Sequence, residues 1–216
     1  MRRVVVLALL ALALPMAATA DIIMMNQGGT IAISNMAGTG GLGMIGASTI
    51  TSKGSQLTQF NSFTGHLGTV NYSTGTLLSG SVSGGGTFSG GGTFDIFGIG
   101  AWAKTVTGCP SCKNPISLFT GSFSGPVTWT LDSAGKNEST YTLSGMISGT
   151  LWNGRVVNGY TSQNIAILTR GQLNNGIGHI GIGTTGITTP EPGTLGLLGT
   201  GLVAVAGMFR RKLIRG

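Results

Sequence analysis

The fold of this chain is decided by two neighbouring stretches, VTWTL at residues 127–131 and TYTLSGMISGTL at residues 140–151. In both, apolar residues or glycines occupy the odd positions, and Thr and Ser occupy most of the even ones. A period of two is typical of β-strands that bury one face. We therefore expect Trp129 to be buried and Thr130 to be exposed, and we expect a solvated hairpin loop at residues 132–138.

The rest of the central part of the chain follows the same pattern. Gly, Ser, Thr and Asn dominate it, and no stretch has the 3.6-residue apolar period of a helix, so no helix is predicted there. The dipeptide Asn153-Gly154 predicts a hairpin with a type I′ turn. Further strands are predicted at residues 69–72, 93–97, 116–119, 163–169 and 177–182. Together these signals predict an all-β domain, either an antiparallel sandwich or a barrel.

Two glycine-rich segments are harder to assign. Residues 84–88 and 90–94 repeat the sequence GGGTF, which makes a β-solenoid the alternative fold, although a solenoid needs at least three repeats. We interpret the repeat as a flexible or edge segment between two strands. Residues 28–58 carry the fewest signals, and we expect loose order there.

The N-terminus has the pattern of a secretory signal peptide. A basic pair at residues 2–3 precedes an apolar run at residues 4–14, and the small residues Ala18 and Ala20 mark a cleavage site before Asp21. We expect this segment to be removed, so that the exported domain begins at Asp21.

The C-terminus combines three features in a fixed order. Pro190-Glu191-Pro192 is followed by 17 uncharged residues, 193–209, and then by a basic cluster at residues 210–212. As a single transmembrane helix, the uncharged run would be about 25 Å long, near the lower limit for crossing the hydrocarbon core of a bilayer. The basic cluster is expected to stay in the cytoplasm, which places the preceding chain on the other side of the membrane.

This tail resembles the PEP-CTERM sorting signal of Gram-negative and related bacteria, in its box at Pro190, Glu191 and Pro192, its apolar span and its basic end. The resemblance implies a processing partner, the membrane-embedded cysteine transpeptidase exosortase, which acts at the Pro-Glu-Pro box in that family. It also implies transient anchoring in the inner membrane with the body in the periplasm, and then location at the cell surface or outside the cell. PEP-CTERM proteins are associated with extracellular polysaccharide and biofilm matrix, so polysaccharide is a further implied partner. A plain C-terminal membrane anchor is the alternative.

The predicted organisation thus has three parts: a signal peptide at 1–20, an exported Gly/Ser/Thr-rich β domain at 21–189 and a sorting signal at 190–216.

The positive charge of the chain does not indicate nucleic-acid binding. The formal net charge is +7, but the two ends hold six of the twelve basic residues and only one of the five acidic residues. The remaining basic residues stand singly and form no patch or stripe.

Three glycine patterns, at residues 41–46, 98–103 and 176–181, resemble the dinucleotide-binding fingerprint. We attribute them to the 40 glycines of the chain, because none is predicted to lie between a strand and a helix with an acidic residue about 20 positions on. A P-loop Gly-Lys-Ser/Thr sequence is absent. No cofactor is predicted.

Cys109 and Cys112 are the two cysteines of the chain, in a C-x-x-C spacing that also occurs in redox and metal sites. A redox thiol would need a helix after Cys109, which is not predicted, and zinc would need two more ligands, while His66 and His179 stand singly. In an exported protein we expect a local disulfide, with a redox or metal site as the alternatives.

The sequence contains no recognisable catalytic constellation. Asp132 and Glu138 are a carboxylate pair that one hairpin would bring together, but nothing near them would desolvate either group. Trp102 and Trp152 are the candidates for contact with a glycan, because aromatic faces stack on sugar rings. We predict a non-catalytic surface or matrix protein, with a carbohydrate-binding module and a degenerate hydrolase as alternatives.

Overall fold

Alternating apolar and polar residues build long antiparallel strands through the central part of the chain. A computed structural model of the chain describes residues 22–35, 42–135, 138–168 and 177–188. The elements within these residues are β1 (Ile22–Ile33), β2 (Ile50–Phe60), β3 (Phe63–Ser73), β4 (Leu77–Ser81), β5 (Gly85–Phe88), β6 (Gly91–Gly98), α1 (Gly100–Thr107), β7 (Ile116–Phe123), β8 (Val127–Ala134), β9 (Glu138–Leu151), β10 (Val156–Leu168) and β11 (Ile177–Thr188). They belong to one compact unit, Asp21–Thr188.

Eight of the described strands close into an antiparallel barrel in the order β1, β2, β3, β6, β7, β9, β10 and β11, with β11 pairing back to β1. The prediction of an antiparallel all-β domain is confirmed, and of its two forms the barrel is the one present. The β-solenoid alternative is wrong, because every pairing between described strands is antiparallel.

Beside the barrel, β8, β5 and β4 form an extension of the sheet, which we call the flap. It exists because β9, with 14 residues, is long enough to pair with two strands along one edge. The first part of β9 pairs with β8 and the last part pairs with β7. The flap therefore continues the barrel wall without interrupting its closure.

The pattern that decided the fold also holds the flap in place. Trp129, which is 1% exposed, stacks on Tyr141 of β9 with ring centroids 4.5 Å apart. The Trp129 indole N–H donates to the carbonyl of Val82 at 2.6 Å, and the Tyr141 hydroxyl donates to the carbonyl of Ser83 at 3.0 Å. Both bonds end on the turn between β4 and β5. Thr130 is exposed as predicted, while Leu131 is only half-buried.

Each predicted strand lies, in its described residues, within an observed strand. Most of the observed strands are longer than predicted. In β8 the strand continues to Ala134, so the charged hairpin loop is shorter than residues 132–138. The hairpin at Asn153-Gly154 is present, but the type I′ turn is wrong. The Gly154 N–H donates to the carbonyl of Leu151, and only Gly154 of the dipeptide has a positive φ, of 79°. This is the three-residue loop in which a turn is followed by a left-handed glycine.

Two other expectations are wrong, and both concern glycine-rich sequence. The described residues of segment 28–58, expected to be loosely ordered, form the second half of β1 and most of β2. The two GGGTF copies form β5 and the start of β6 rather than a flexible link. Their phenylalanines, Phe88 and Phe94, are fully buried, so side-chain burial supplies the stability that glycine lacks.

The helix α1 at Gly100–Thr107 was not predicted. It follows β6 directly, so the glycine pattern at residues 98–103 does lie between a strand and a helix. Helix propensity alone would not form it, since eight residues are too few for a stable isolated helix. Packing of Trp102, Ala103 and Val106 against the barrel core stabilises it instead.

Candidate functional site

Polar side chains form a connected group inside the barrel. Asn26 on β1, Ser55 on β2, and Thr161 and Gln163 on β10 are all buried, as is Thr185 on β11. These four strands are neighbours in the closed barrel, so alternate residues of each point to the same interior.

An amide pair lies at the centre of this group. The Asn26 amide nitrogen donates to the Gln163 side-chain oxygen at 2.8 Å, and the Gln163 amide nitrogen donates back to Asn26 at 3.2 Å. The remaining amide hydrogens go to Ser55 at 2.7 Å and to Thr161 at 2.8 Å. Thr161 and Thr185 share a further hydrogen bond of 2.9 Å.

This interior group is suited to stabilising the fold rather than to catalysing a reaction. It contains no charged side chain and no group that titrates, and both amides use their donors fully. A fully satisfied buried network stabilises one arrangement of the strands around it. The amide pair also needs Gly183 on β11, since a β-carbon there would overlap the side-chain oxygens of Gln163 and Asn26.

Two tyrosines, Tyr72 and Tyr141, are buried in the core. Burial raises the pKa of Tyr72, and the side-chain hydrogen bond with its cross-strand partner Ser52 acts in the opposite direction. The two hydroxyls are buried close to each other, but neither makes a hydrogen bond of normal geometry with a described residue. Burial also raises the pKa of Tyr141, with a hydrogen bond to Ser139 lowering it in part. Neither tyrosine lies beside a carboxylate or a histidine ring in a described contact.

The two tryptophans predicted to contact a glycan meet on Phe60. Trp102 on α1 and Trp152 in the β9–β10 turn lie 5.4 Å and 6.1 Å from the Phe60 ring, between ring centroids. Both are only partly buried, but they pack against the core, and the Trp102 N–H donates to the carbonyl of Leu67 at 3.0 Å. The structure therefore gives Trp102 a packing role, and glycan contact by this pair stays a prediction.

The cysteines lie in the loop after α1. The structure places a disulfide between Cys109 and Cys112, whose Cα atoms are 5.5 Å apart, and no described cysteine is free. The helix precedes Cys109, so this residue does not sit at the helix N-terminus, where a thiol pKa would be lowered. Among the described residues, no group of three or more potential ligands is arranged to hold a metal ion.

The carboxylate pair does not form a cleft. Asp132 and Glu138 are both exposed, and Asp132 accepts a hydrogen bond from Thr142 at 2.7 Å. Exposed carboxylates lack the desolvation that poises a catalytic acid. His66 and His179 are also exposed, and the His179 Nδ1 contacts the carbonyl of Gly29 at 3.0 Å.

A shallow depression of about 270 Å³ lies on the outer wall of the barrel. Its lining is Ile23, Met146, Gly159, Tyr160, Gly186, Ile187 and Thr188. The sequence interpretation did not single out Tyr160. The sequence did indicate that Tyr160 faces outward. In the alternation of this strand, Tyr160 lies on the same face as the polar Asn158 and Ser162 and opposite to the buried Val157.

The predicted sorting and cleavage residues lie outside the described residues. This applies to the signal peptide with Ala18, Ala20 and Asp21, and to the box at Pro190-Glu191-Pro192 with the apolar span and basic end that follow it. No helix within the described residues is long and apolar enough to cross a membrane.

Comparison with known families matches residues 188–212 to the PEP-CTERM protein-sorting motif. The chain carries a PEP-CTERM sorting motif. No curated protein and no solved structure matches the chain. The PEP-CTERM match begins at Thr188, the last residue of β11, and includes the box at Pro190-Glu191-Pro192 and the basic residues 210–212.

A PEP-CTERM motif indicates an exported protein that is sorted at the membrane, and it implies processing by an exosortase. The resemblance noted in the sequence is thereby confirmed. The PEP-CTERM motif describes how the protein is delivered and says nothing about what the barrel does after delivery.

Proposed function

We propose that this protein is a non-enzymatic structural component of the cell surface or extracellular matrix, processed by an exosortase at its Pro-Glu-Pro box. The observation that carries the proposal is the sorting motif at residues 188–212, which gives the barrel a destination outside the cytoplasm. Before processing, the apolar span at residues 193–209 anchors the protein in the inner membrane. After processing, the barrel is no longer tethered to the membrane.

The described part of the chain supports a role without catalysis. Its buried polar group is a hydrogen-bonded network without charges, its candidate carboxylates are exposed, and its cysteines are joined to each other. A catalytic site usually combines perturbed titratable groups with a cavity that excludes water. Asp132 and Glu138 are instead exposed to water.

The fold supports a role at the surface. A closed barrel satisfies the backbone hydrogen bonds of its strands without exposing strand edges. An exported protein cannot rely on cytoplasmic chaperones, so a closed barrel suits that location. The disulfide at Cys109 and Cys112 is compatible with an oxidising compartment.

The proposal is tested by changing the carboxylate of the box. Glu191→Ala, expressed in a host that contains an exosortase, should accumulate as a longer form in the inner-membrane fraction. The wild-type protein should appear in a shorter form at the surface or in the matrix fraction. Glu138→Ala is the matched control, because it removes an exposed carboxylate of the barrel and should leave both length and location unchanged.

Mass spectrometry of the mature protein decides the matter. A wild-type protein that still ends at Gly216 contradicts processing. A processed protein that stays entirely in the soluble periplasmic fraction contradicts the surface or matrix role, while leaving the sorting step intact.

A further inference from the structure

A row of exposed residues crosses four neighbouring strands on the outer wall. Met146 on β9 pairs with Tyr160 on β10, Tyr160 pairs with Gly186 on β11, and Gly186 pairs with Ile23 on β1. Met146, Tyr160 and Ile23 are 50%, 50% and 53% exposed, and because they lie in one row they form a contiguous exposed patch. With strands about 4.8 Å apart, the row is about 14 Å long. We call it the Tyr160 row.

Gly186 makes the row concave. Its backbone φ is not in the left-handed region, and a β-carbon built there has no heavy atom within 4 Å. Neither backbone conformation nor packing therefore requires glycine at this position. The absence of a side chain at Gly186 leaves open space between the Tyr160 ring and Ile23, within the depression of about 270 Å³.

On β9, β10 and β11, polar residues without charge border the row on both sides. Two positions along these three strands in one direction lie Ser148, Asn158 and Thr188, which are paired in register. In the other direction lie Ser144, Ser162 and Thr184, paired in the same way, and Thr184 pairs in turn with the exposed Met25 of β1. Residues two apart on a strand share a face, so all three rows lie on the outer wall.

The chemistry of this surface selects its ligand. No described residue in the three rows carries a formal charge at neutral pH, so these residues offer no charged partner to a phosphate or an acidic polymer. A half-exposed aromatic ring next to an open notch, flanked by hydroxyl and amide groups, matches a sugar ring, which has C–H bonds on its face and hydroxyls around its edge. The length of the row further favours a chain of sugars over a single one.

We propose that the Tyr160 row binds a neutral polysaccharide, with a sugar ring stacked on Tyr160 over Gly186 and its hydroxyls bonded to the flanking polar rows. This site differs from the pair Trp102 and Trp152. It does not depend on exosortase processing, so the two proposals fail separately.

Affinity electrophoresis of the purified full chain tests the site, in gels that contain a soluble neutral β-glucan, mannan or galactan. At least one of these polymers should retard the wild-type chain. Tyr160→Ala should weaken the binding at least tenfold, and Gly186→Val should do the same by filling the notch. Tyr160→Phe, which keeps the ring, should retain most of the binding.

Ile182→Ala is the matched control, because Ile182 is an exposed apolar residue of β11 outside the three rows, and it should bind like wild type. Circular dichroism should show the same fold for every variant. The proposal is overturned if none of the neutral polymers retards the wild-type chain, or if Tyr160→Ala binds as well as wild type. It is equally overturned if sedimentation shows that the row instead joins two copies of the chain, with Tyr160→Ala making them monomeric.

Discussion

Replacing Gly183 by Ala tests whether the amide pair inside the barrel fixes the arrangement of β1, β10 and β11. The added β-carbon would overlap the side-chain oxygens of Gln163 and Asn26. Both side chains are buried and hydrogen-bonded to each other, so neither can move without breaking the pair. The methyl group should therefore be accommodated at the expense of these bonds.

The expected loss follows from what the broken pair leaves behind. A buried amide without its partner costs about 1–3 kcal/mol, and two amides are affected, although partial rearrangement toward Ser55 or Thr161 recovers some of it. Alanine in a strand is itself favoured over glycine by roughly 0.5–1 kcal/mol. We expect a net loss of about 2–4 kcal/mol in the free energy of unfolding, a large share of the stability of an ordinary domain.

Urea denaturation of the purified protein, followed by circular dichroism, measures this loss. Gly186→Ala is the matched control on the same strand, because its added β-carbon meets no atom within 4 Å, and its stability should be unchanged or slightly higher. Gly183→Ala should cost less in a Gln163→Ala background, since one of the two overlapping oxygens is then absent. Equal losses for Gly183→Ala and Gly186→Ala, or an unchanged loss in the Gln163→Ala background, would refute the reasoning.

Three further outcomes are expected. Trp129→Ala should lower the free energy of unfolding by about 3–5 kcal/mol, because it removes a stacked core ring and its bond to Val82, whereas Thr130→Ala should have little effect; similar losses would contradict the assigned faces. The unfolded but unreduced protein should show no free thiol, and changing Cys109 and Cys112 to Ser should cost at most about 2 kcal/mol, since the loop they close is short; stoichiometric zinc would contradict the disulfide. Because burial raises the pKa of Tyr72, its share of stability is complete below the ordinary tyrosine pKa of about 10 and is lost above it, by about 1.4 kcal/mol per pH unit. Tyr72→Phe should therefore lose less stability than wild type between pH 9 and pH 11, and parallel losses in urea titrations would count against this origin.

Strands with strict alternation, and the face that each buries, could be predicted from the sequence. Trp129, Tyr141 and Leu143 are buried as expected, and Trp129 pairs with Leu143 and stacks on Tyr141. The sorting motif could also be predicted, since its signal is an ordered set of residue types that needs no tertiary context.

Elements that depend on distant partners could not be predicted. In the GGGTF repeat, glycine is a poor strand former, and burial of Phe88 and Phe94 against other strands decides the outcome. The helix at Gly100–Thr107 forms because Trp102 packs on Phe60, forty residues away in the chain. Pairing of Asn26 with Gln163 joins residues 137 positions apart, so no local pattern indicates it.

The closed topology limits how this protein can act in a matrix. Polymerisation by strand addition needs a free strand edge, and each described barrel strand has a neighbouring strand on both sides. On the flap, the loop at residues 42–48 bonds to the outer edge of β4 at Leu77. Gly46 donates to the carbonyl of Leu77 at 2.7 Å, and the Leu77 N–H donates to Ser48 at 2.8 Å. Barrel closure therefore directs a structural role toward side-chain faces, and the Tyr160 row is a face with both an open notch and exposed apolar side chains.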